Sequence, residues 1–419
     1  ARAVSTALAV PCPERVDVAC TVGPTLRAVR LIDDSDRRDW ILAALARALT
    51  RAGHAAEARD LVKGIVDPRT ILSTLRDMVA AHGAAGDEAA ALRAADAIPD
   101  ARLRLEALIG AAAALVQAGQ PAAAMRLLAP VLDSGALPDA GGMGMASLAE
   151  AAGVAADAGD HEAAAMLLAR AEALSGSLLV EQDRDLALGQ LAEAQAGIGA
   201  IGAATSTAGA IDDAWRRAPL FAVLAAAAAR HRQWAQAEDL VGRITEARYR
   251  AVAEANLAAL YGRAGLGAEA LRMLDAAEAT ALAVPRGFAR NFALAAVALV
   301  ALDLVGPARS DALARAVPDA RLRAETLIDA ATTARGKGEA VSATTYLHAA
   351  MDAAGAIRDP VERAATRARL AVAEAGIEPW SVIVSDAASI DDPWQRARAL
   401  VALAAIASQA KRDPAPAGP

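Results

Sequence analysis

Apolar residues return along this chain in short helical stripes, separated by polar breaks that contain glycine. In "DDSDRRDWILAALARALTRAG", Ile41, Leu42, Leu45 and Leu49 fall on one face at helical spacing. An aspartate stands at the cap position and Gly53 ends the stripe. The following "HAAEARDLVKG" puts Ala58, Leu61 and Val62 on a second, shorter helix, after which Ile65 and Asp67 restart the cycle. "DDAWRRAPLFAVLAAAAARHRQWAQAEDLVGR" follows the same plan, with Trp234 in the turn. Proline opens new helices at Pro68, Pro360 and Pro393, where its missing N–H costs nothing. The β-branched alternation of strands is almost absent, so the pattern predicts an all-α protein.

One phrase marks the restart of each cycle. It reads "IDDSDRR" from Ile32, "IVDPRT" from Ile65, "IPDARLR" from Ile98, "IDDAWRR" from Ile211 and "ITEARYR" from Ile244. "VPDARLR" from Val317, "IRDPVER" from Ile357 and "IDDPWQR" from Ile390 continue it. Several spacings are 33 residues and that from Val317 to Ile357 is 40. The gap from 98 to 211 has room for three longer units and that from 244 to 317 for two, giving about ten or eleven. A period near 33 residues is the mark of stacked helix pairs, because one pair cannot bury its own apolar face.

The expected organisation is an extension over residues 1–31, a repeat array over 32–410 and a disordered Pro-rich tail over 411–419. The array is expected to wind into a right-handed superhelical solenoid of antiparallel helix pairs with a concave face. "DDPWQRARALVALAAIASQAKRD" is a first helix with no second, and is expected to cap the stack.

A small residue follows each turn glycine by five positions: Gly53 with Ala58, Gly86 with Ala91, Gly119 with Ala124, Gly159 with Ala164, Gly265 with Ala270 and Gly338 with Ala343. In this the chain, over about residues 32–410, resembles the tetratricopeptide-type family of helix-turn-helix repeats. The resemblance implies that each alanine sits where the two helices of a unit cross closely, and that first helices line the concave face. The family's Trp, Tyr and Phe signature positions are mostly Ala, Leu or Val here, and several units are longer.

Composition narrows the function classes. The chain is 55% hydrophobic but only 3% aromatic, much of it alanine, which packs closely and buries little area per residue. Its 43 basic and 50 acidic residues are mixed, with net charge -7 and no basic stripe, which argues against a nucleic-acid partner. The most membrane-like stretch, "ALAAVALVALDLVG" (293–306), contains Asp303 and precedes Pro307, so a buried helix is expected rather than a span. "APVLDSGALPDAGGMGMASLAE" (129–150) reads as a longer turn between repeats, with a hinge or binding loop as the alternative. "AQAGIGAIGAATSTAGA" (194–210) lacks the Lys and Ser/Thr of a phosphate loop and reads as a degenerate second helix.

Cys12 and Cys20 are the chain's two cysteines. They match neither CxxC nor a metal pattern, and in an oxidising compartment they would close a small disulfide loop. Ala7-Leu8-Ala9 resembles the end of a signal region, so the sequence is expected to begin either after processing or at an arbitrary cut. Periplasmic or secreted is the expected location. Two free thiols in a cytoplasmic protein are the alternative.

Candidate chemistry is sparse. His54, His82, His161 and His231 fall in or beside turns of separate units and are expected to face solvent; with His348 they form no HExxH or Cys/His cluster. Acid pairs such as Asp33–Asp34 recur with the repeat, which favours helix capping over catalysis. No cofactor, metal or catalytic group is expected. Recurring arginines enter the first helices, among them Arg216, Arg250, Arg321 and Arg363. One reading pairs each with an Asp near its own helix start or with the next unit. The other is a guanidinium ladder gripping carboxylates or phosphates of a peptide. Trp215 and Tyr249, with Trp40, Phe288 and Trp394, stand near the same helix starts, as interrepeat packing or as exposed anchors.

A peptide- or protein-binding scaffold is therefore the expected function. The alternatives are the helical scaffold of a cell-wall- or sugar-processing enzyme, or a small-molecule carrier.

Overall fold

A computed structural model describes residues 12–133, 142–175, 181–373 and 379–410. These residues form 22 α-helices and no strand. The first helices of the repeats are α2 (Ser35–Arg51), α4 (Pro68–Ala84), α6 (Ala101–Gln117), α8 (Gly142–Asp157), α10 (Glu181–Gly197) and α12 (Ala214–Arg230). The same series continues with α14 (Ala247–Arg263), α16 (Phe288–Val305), α18 (Ala320–Gly336), α20 (Pro360–Ala373) and α22 (Pro393–Ala410). Between them lie α3 (Ala55–Val62), α5 (Glu88–Ala95), α7 (Pro121–Asp133), α9 (His161–Ser175) and α11 (Ile201–Gly209). The remainder are α13 (Trp234–Gly242), α15 (Gly267–Ala283), α17 (Pro307–Arg315), α19 (Ala340–Gly355) and α21 (Trp380–Ala388). One further helix, α1 (Ala19–Val29), precedes the first phrase.

Each residue of the phrase has a local task. The aspartate caps the first helix: Asp34 accepts from the Arg37 N–H at 3.0 Å, Asp100 from Leu103 at 2.8 Å and Asp392 from Gln395 at 2.7 Å. The aliphatic residue is buried, as at Ile98 and Ile211. Six positions after it, an arginine reaches back to that residue's carbonyl. Arg38 donates to Ile32 at 2.8 Å, Arg217 to Ile211 at 2.8 Å and Arg323 to Val317 at 3.1 Å. The guanidinium thus satisfies a carbonyl just past the end of the preceding helix, where no helical N–H is available.

The turn glycine takes the left-handed conformation, with φ 89° at Gly53, and its unit's two helices then cross at alanine. Ala58, Ala91, Ala124 and Ala164 are fully buried. After α12 the turn position is filled by Arg232 at φ 59°, an αL residue that is not glycine. Replacing Ala91 or Ala124 by leucine is expected to overpack this crossing and destabilise the protein by about 1–3 kcal/mol in chemical denaturation. Longer units arise in the second helix. α3 and α5 have 8 residues each, whereas α15 has 17 and α19 has 16. About two added turns return the chain to nearly the same face, so the buried stripe keeps its register. Residues 201–209 form the degenerate second helix α11. Of the 129–150 connection, residues 134–141 lie outside the described residues, as do residues 1–11 and the 411–419 tail.

The chain divides into two compact units. Unit 2, Gly119–Thr326, packs α8, α10, α12, α14 and α16 side by side in chain order, each against its own second helix. Within it α16 has 18 residues with mean hydropathy 1.8, long and apolar enough to cross a membrane by those measures, and is 44% buried. Its buried face, including Leu294, Val297, Ala298 and Ala301, packs on α14, α15 and α17 as a repeat helix does.

Unit 1 joins Ala1–Ala118 to Leu327–Pro419. Here α20, α22, α2, α4 and α6 are successive neighbours, so α22 does not cap a stack. It lies between α20 and α2, and α1 packs along it as its second helix. The reason is visible in α22 itself, where Ala397, Leu400, Val401, Leu403, Ala404 and Ala407 are all buried; a terminal cap would keep one side polar. Residues 19–29 therefore belong to a repeat made from both parts of the sequence. α1 leads into Ile32-Asp33-Asp34 as α3 leads into Ile65. Trp380, fully buried, fastens the join: its backbone N–H donates to the Glu14 carbonyl at 3.0 Å and its indole N–H to that of Asp17 at 2.9 Å. Cys12 and Cys20 form a disulfide beside these carbonyls, with Cα atoms 4.9 Å apart.

Candidate partner-binding surface

The four arginines singled out by their recurrence have different neighbours. Arg363 donates to the Ile357 carbonyl at 2.9 Å, the repeat-internal contact made by Arg38 and Arg217. Arg321 pairs with Glu325 one turn on at 3.1 Å. Arg250 lies 3.9 Å from Glu254, whose carboxyl pKa is raised by burial and only partly restored by Thr280 and Arg250. Arg216 lies 3.4 Å from Asp213, the cap of its own helix. These contacts fit the pairing reading for Arg216, within its own helix start. The Arg363 contact is to a backbone carbonyl, which neither reading anticipated.

The aromatic residues form a more uniform set. Trp215, Arg248 and Phe288 each stand four residues after the buried aliphatic residue that precedes their helix, Ile211, Ile244 and Val284. They thus occupy one position of successive repeats in unit 2. Trp215 is 61% exposed and Phe288 59%. The Arg248 guanidinium lies 5.9 Å from the Trp215 ring and 4.4 Å from that of Tyr249, and donates to the Tyr249 hydroxyl at 2.8 Å. Phe292, one helical turn past Phe288, is also exposed, and the two rings lie 6.3 Å apart. Its position eight residues after Val284 was the sequence signal for this extension.

Unit 1 carries a related cluster. Trp40 of α2 and Trp394 of α22 meet edge to face at 5.6 Å. The guanidiniums of Arg37 and Arg398 lie 5.4 Å and 5.8 Å from the Trp394 ring. This pair was not visible in the sequence, because its members are neighbours only through the packing of α22 on α2.

Concavities among the described residues include the following, each within one unit. In unit 1, one of about 510 Å³ is lined by α20, α21 and α22 and includes Arg363, Arg367 and Asp386. Another, of about 650 Å³, runs over alanines of α2, α4 and α22, with Arg47 and Asp77 paired at 2.8 Å on its wall. In unit 2, one of about 500 Å³ lies between α10 and α12 and has Arg216 on its lining.

The histidines correct one expectation. His82 is buried at 8% exposure, and its pKa is lowered chiefly by burial, with Asp87 opposing and Arg59 and Arg93 assisting. It sits inside the C-terminal turn of α4 and is covered more than the turn position suggested. His231 stays exposed and contacts the Gly197 carbonyl at 3.0 Å. Among the described residues no group of His, Cys, Asp and Glu is placed to hold a metal ion.

No protein-family model matches this chain, and no curated protein matches it. Among solved structures, the crystal structure of Ton1535 from Thermococcus onnurineus NA1 is similar at a TM-score of 0.35 and 15% identity. That match covers 83% of this chain and 98% of that one.

Proposed function

We propose that this protein is a non-catalytic scaffold whose first helices hold a peptide or protein segment, within a tetratricopeptide-like solenoid. The observation that carries the reading is the Trp215–Arg248–Phe288 series, one residue per repeat at one position, with exposed rings at Trp215 and Phe288 and a half-buried guanidinium between them in sequence. Exposed tryptophan beside arginine is the composition of interface anchors, and a large aromatic ring left in water has no folding role that requires it. Neighbouring repeats offer an extended segment several such contacts in succession. The Cys12–Cys20 disulfide supports an oxidising location, periplasmic or secreted, for this activity.

The test is selection of binding peptides from a displayed library on the intact protein, followed by affinity measurement against Trp215→Ala and Arg248→Ala. Both side chains reach solvent, so helical content and melting should be retained. Loss of at least about tenfold in affinity at Trp215→Ala is expected for an anchor. Selected peptides that bind both variants as well as the parent protein would refute this surface.

A further inference from the structure

The concavity between α10 and α12 differs from the aromatic series in its chemistry. Its walls are apolar: Leu186 is 53% exposed and Val223 43%, with Pro219 beside them. Its polar lining is dominated by acceptors. Asp185 is 4% exposed, and its Oδ1 is buried with no hydrogen-bond partner. The Gln190 Oε1 is also buried without a partner, and Glu193 adds a carboxylate. Arg216 lies on the same lining but stands beside the Asp213 carboxylate at 3.4 Å.

Asp185 has a structural counterpart that shows what is unusual here. In α2, Asp39 accepts through one oxygen from both Val66 N–H at 2.9 Å and Asp67 N–H at 2.7 Å, bracing the next phrase. Asp185 has the same place in its repeat, yet it receives the Asp213 N–H at 3.4 Å. An ionised carboxylate so buried and so weakly bonded is costly unless a donor completes it.

We propose that this cavity receives a lysine side chain of the bound segment. The inference rests on the peptide-scaffold reading and names the chemistry of one subsite. The methylene stem packs along Leu186, Pro219 and Val223, and the ammonium group meets Asp185, Gln190 and Glu193. An ammonium has three donors, matched here by acceptors on three separate side chains. A guanidinium instead favours one carboxylate in a planar, two-pronged contact, which this divided set does not offer. Charge agrees: Asp185 and Glu193 line the cavity, and the nearby Arg184 is already bonded to Asp212 at 3.1 Å.

The experiment titrates N-acetyl-lysine N-methylamide into the intact, methyl-labelled protein and follows the Leu186, Leu220 and Val223 resonances. The norleucine and arginine analogues serve as comparisons. Lysine should perturb these methyl groups and bind at least about tenfold tighter than norleucine, which has a similar stem and no charge. Glu193→Gln and Gln190→Leu should each weaken lysine about fivefold with circular dichroism unchanged. Equal binding of norleucine, tighter binding of arginine, or no shift at these methyl groups would overturn the proposal. A second arm uses a lysine-containing peptide selected on the scaffold. If its affinity falls at Trp215→Ala but not at Glu193→Gln or Gln190→Leu, the lysine subsite is wrong and the scaffold stands. If the lysine analogue seats in the cavity while no displayed peptide binds the protein, the subsite stands and the scaffold reading fails.

Discussion

Replacing Trp380 by alanine is expected to unfasten unit 1 and cost about 3–5 kcal/mol, the range for a fully buried tryptophan. The side chain is buried among α1, α21 and α22 residues, and its indole N–H bonds the Asp17 carbonyl across 363 positions of sequence. Truncation leaves both a cavity and an unpaired carbonyl. The disulfide acts on the same join. It links residues eight apart, and closing so short a loop stabilises by about 2.5 kcal/mol on the chain-entropy model. Cys12→Ser with Cys20→Ser should therefore lower stability less than Trp380→Ala. Chemical denaturation, with hydrogen exchange over α1 and α22, separates the two. Exchange in these helices should rise in both variants, and more in Trp380→Ala. Unchanged protection in α1 after Trp380→Ala would show that the join is held elsewhere.

The second large effect is expected at Gly83. A Cβ there would stand 2.4 Å from the Ala111 carbonyl oxygen and 2.8 Å from the Ala111 Cα. Both are backbone atoms of α6, so no rotamer change relieves the clash, and α4 must move away from α6. Gly83→Ala is expected to destabilise by about 3 kcal/mol, against the gain of up to about 1 kcal/mol that alanine brings to a helix interior. Gly153 in α8 is the matched control, because nothing stands within 4 Å of its added Cβ. Gly153→Ala should stabilise by about 0.5–1 kcal/mol. Opposite signs at two helical glycines, measured by urea denaturation, would locate the close crossing. Equal signs would show that α4 and α6 can separate at little cost.

Both effects arise from contacts between helices, and this divides what could be read from the residues alone. The capping aspartates, the turn glycines and the buried alanines were legible because each acts within a few residues of itself. Asp34 bonds an N–H three positions on, and Ala58 meets the first helix of its own hairpin. The 33-residue phrase then set the alternation of first and second helices, and Cys12 and Cys20 were close enough in sequence to be paired. The arginine six residues into most of the phrases was visible as a recurrence, but not its target. Aspartate and backbone carbonyl are both within a guanidinium's reach, and helix geometry decides between them.

The tertiary structure alone decided where the first and last helices belong. An apolar stripe records that a helix must be covered, without recording by what. α22 carries apolar residues on more than one side, and α1 carries Val22, Leu26 and Val29, yet either could have met a neighbour in sequence. Packing α1 on α22 satisfies both, and the packing of α22 on α2 brings Trp394 against Trp40. Burial of His82 and the weak bonding of Asp185 follow from the same source. Whether a polar side chain is wet or covered depends on the helix laid over it, and that helix lies one repeat away in sequence or, at the α1–α22 join, more than 350 residues away.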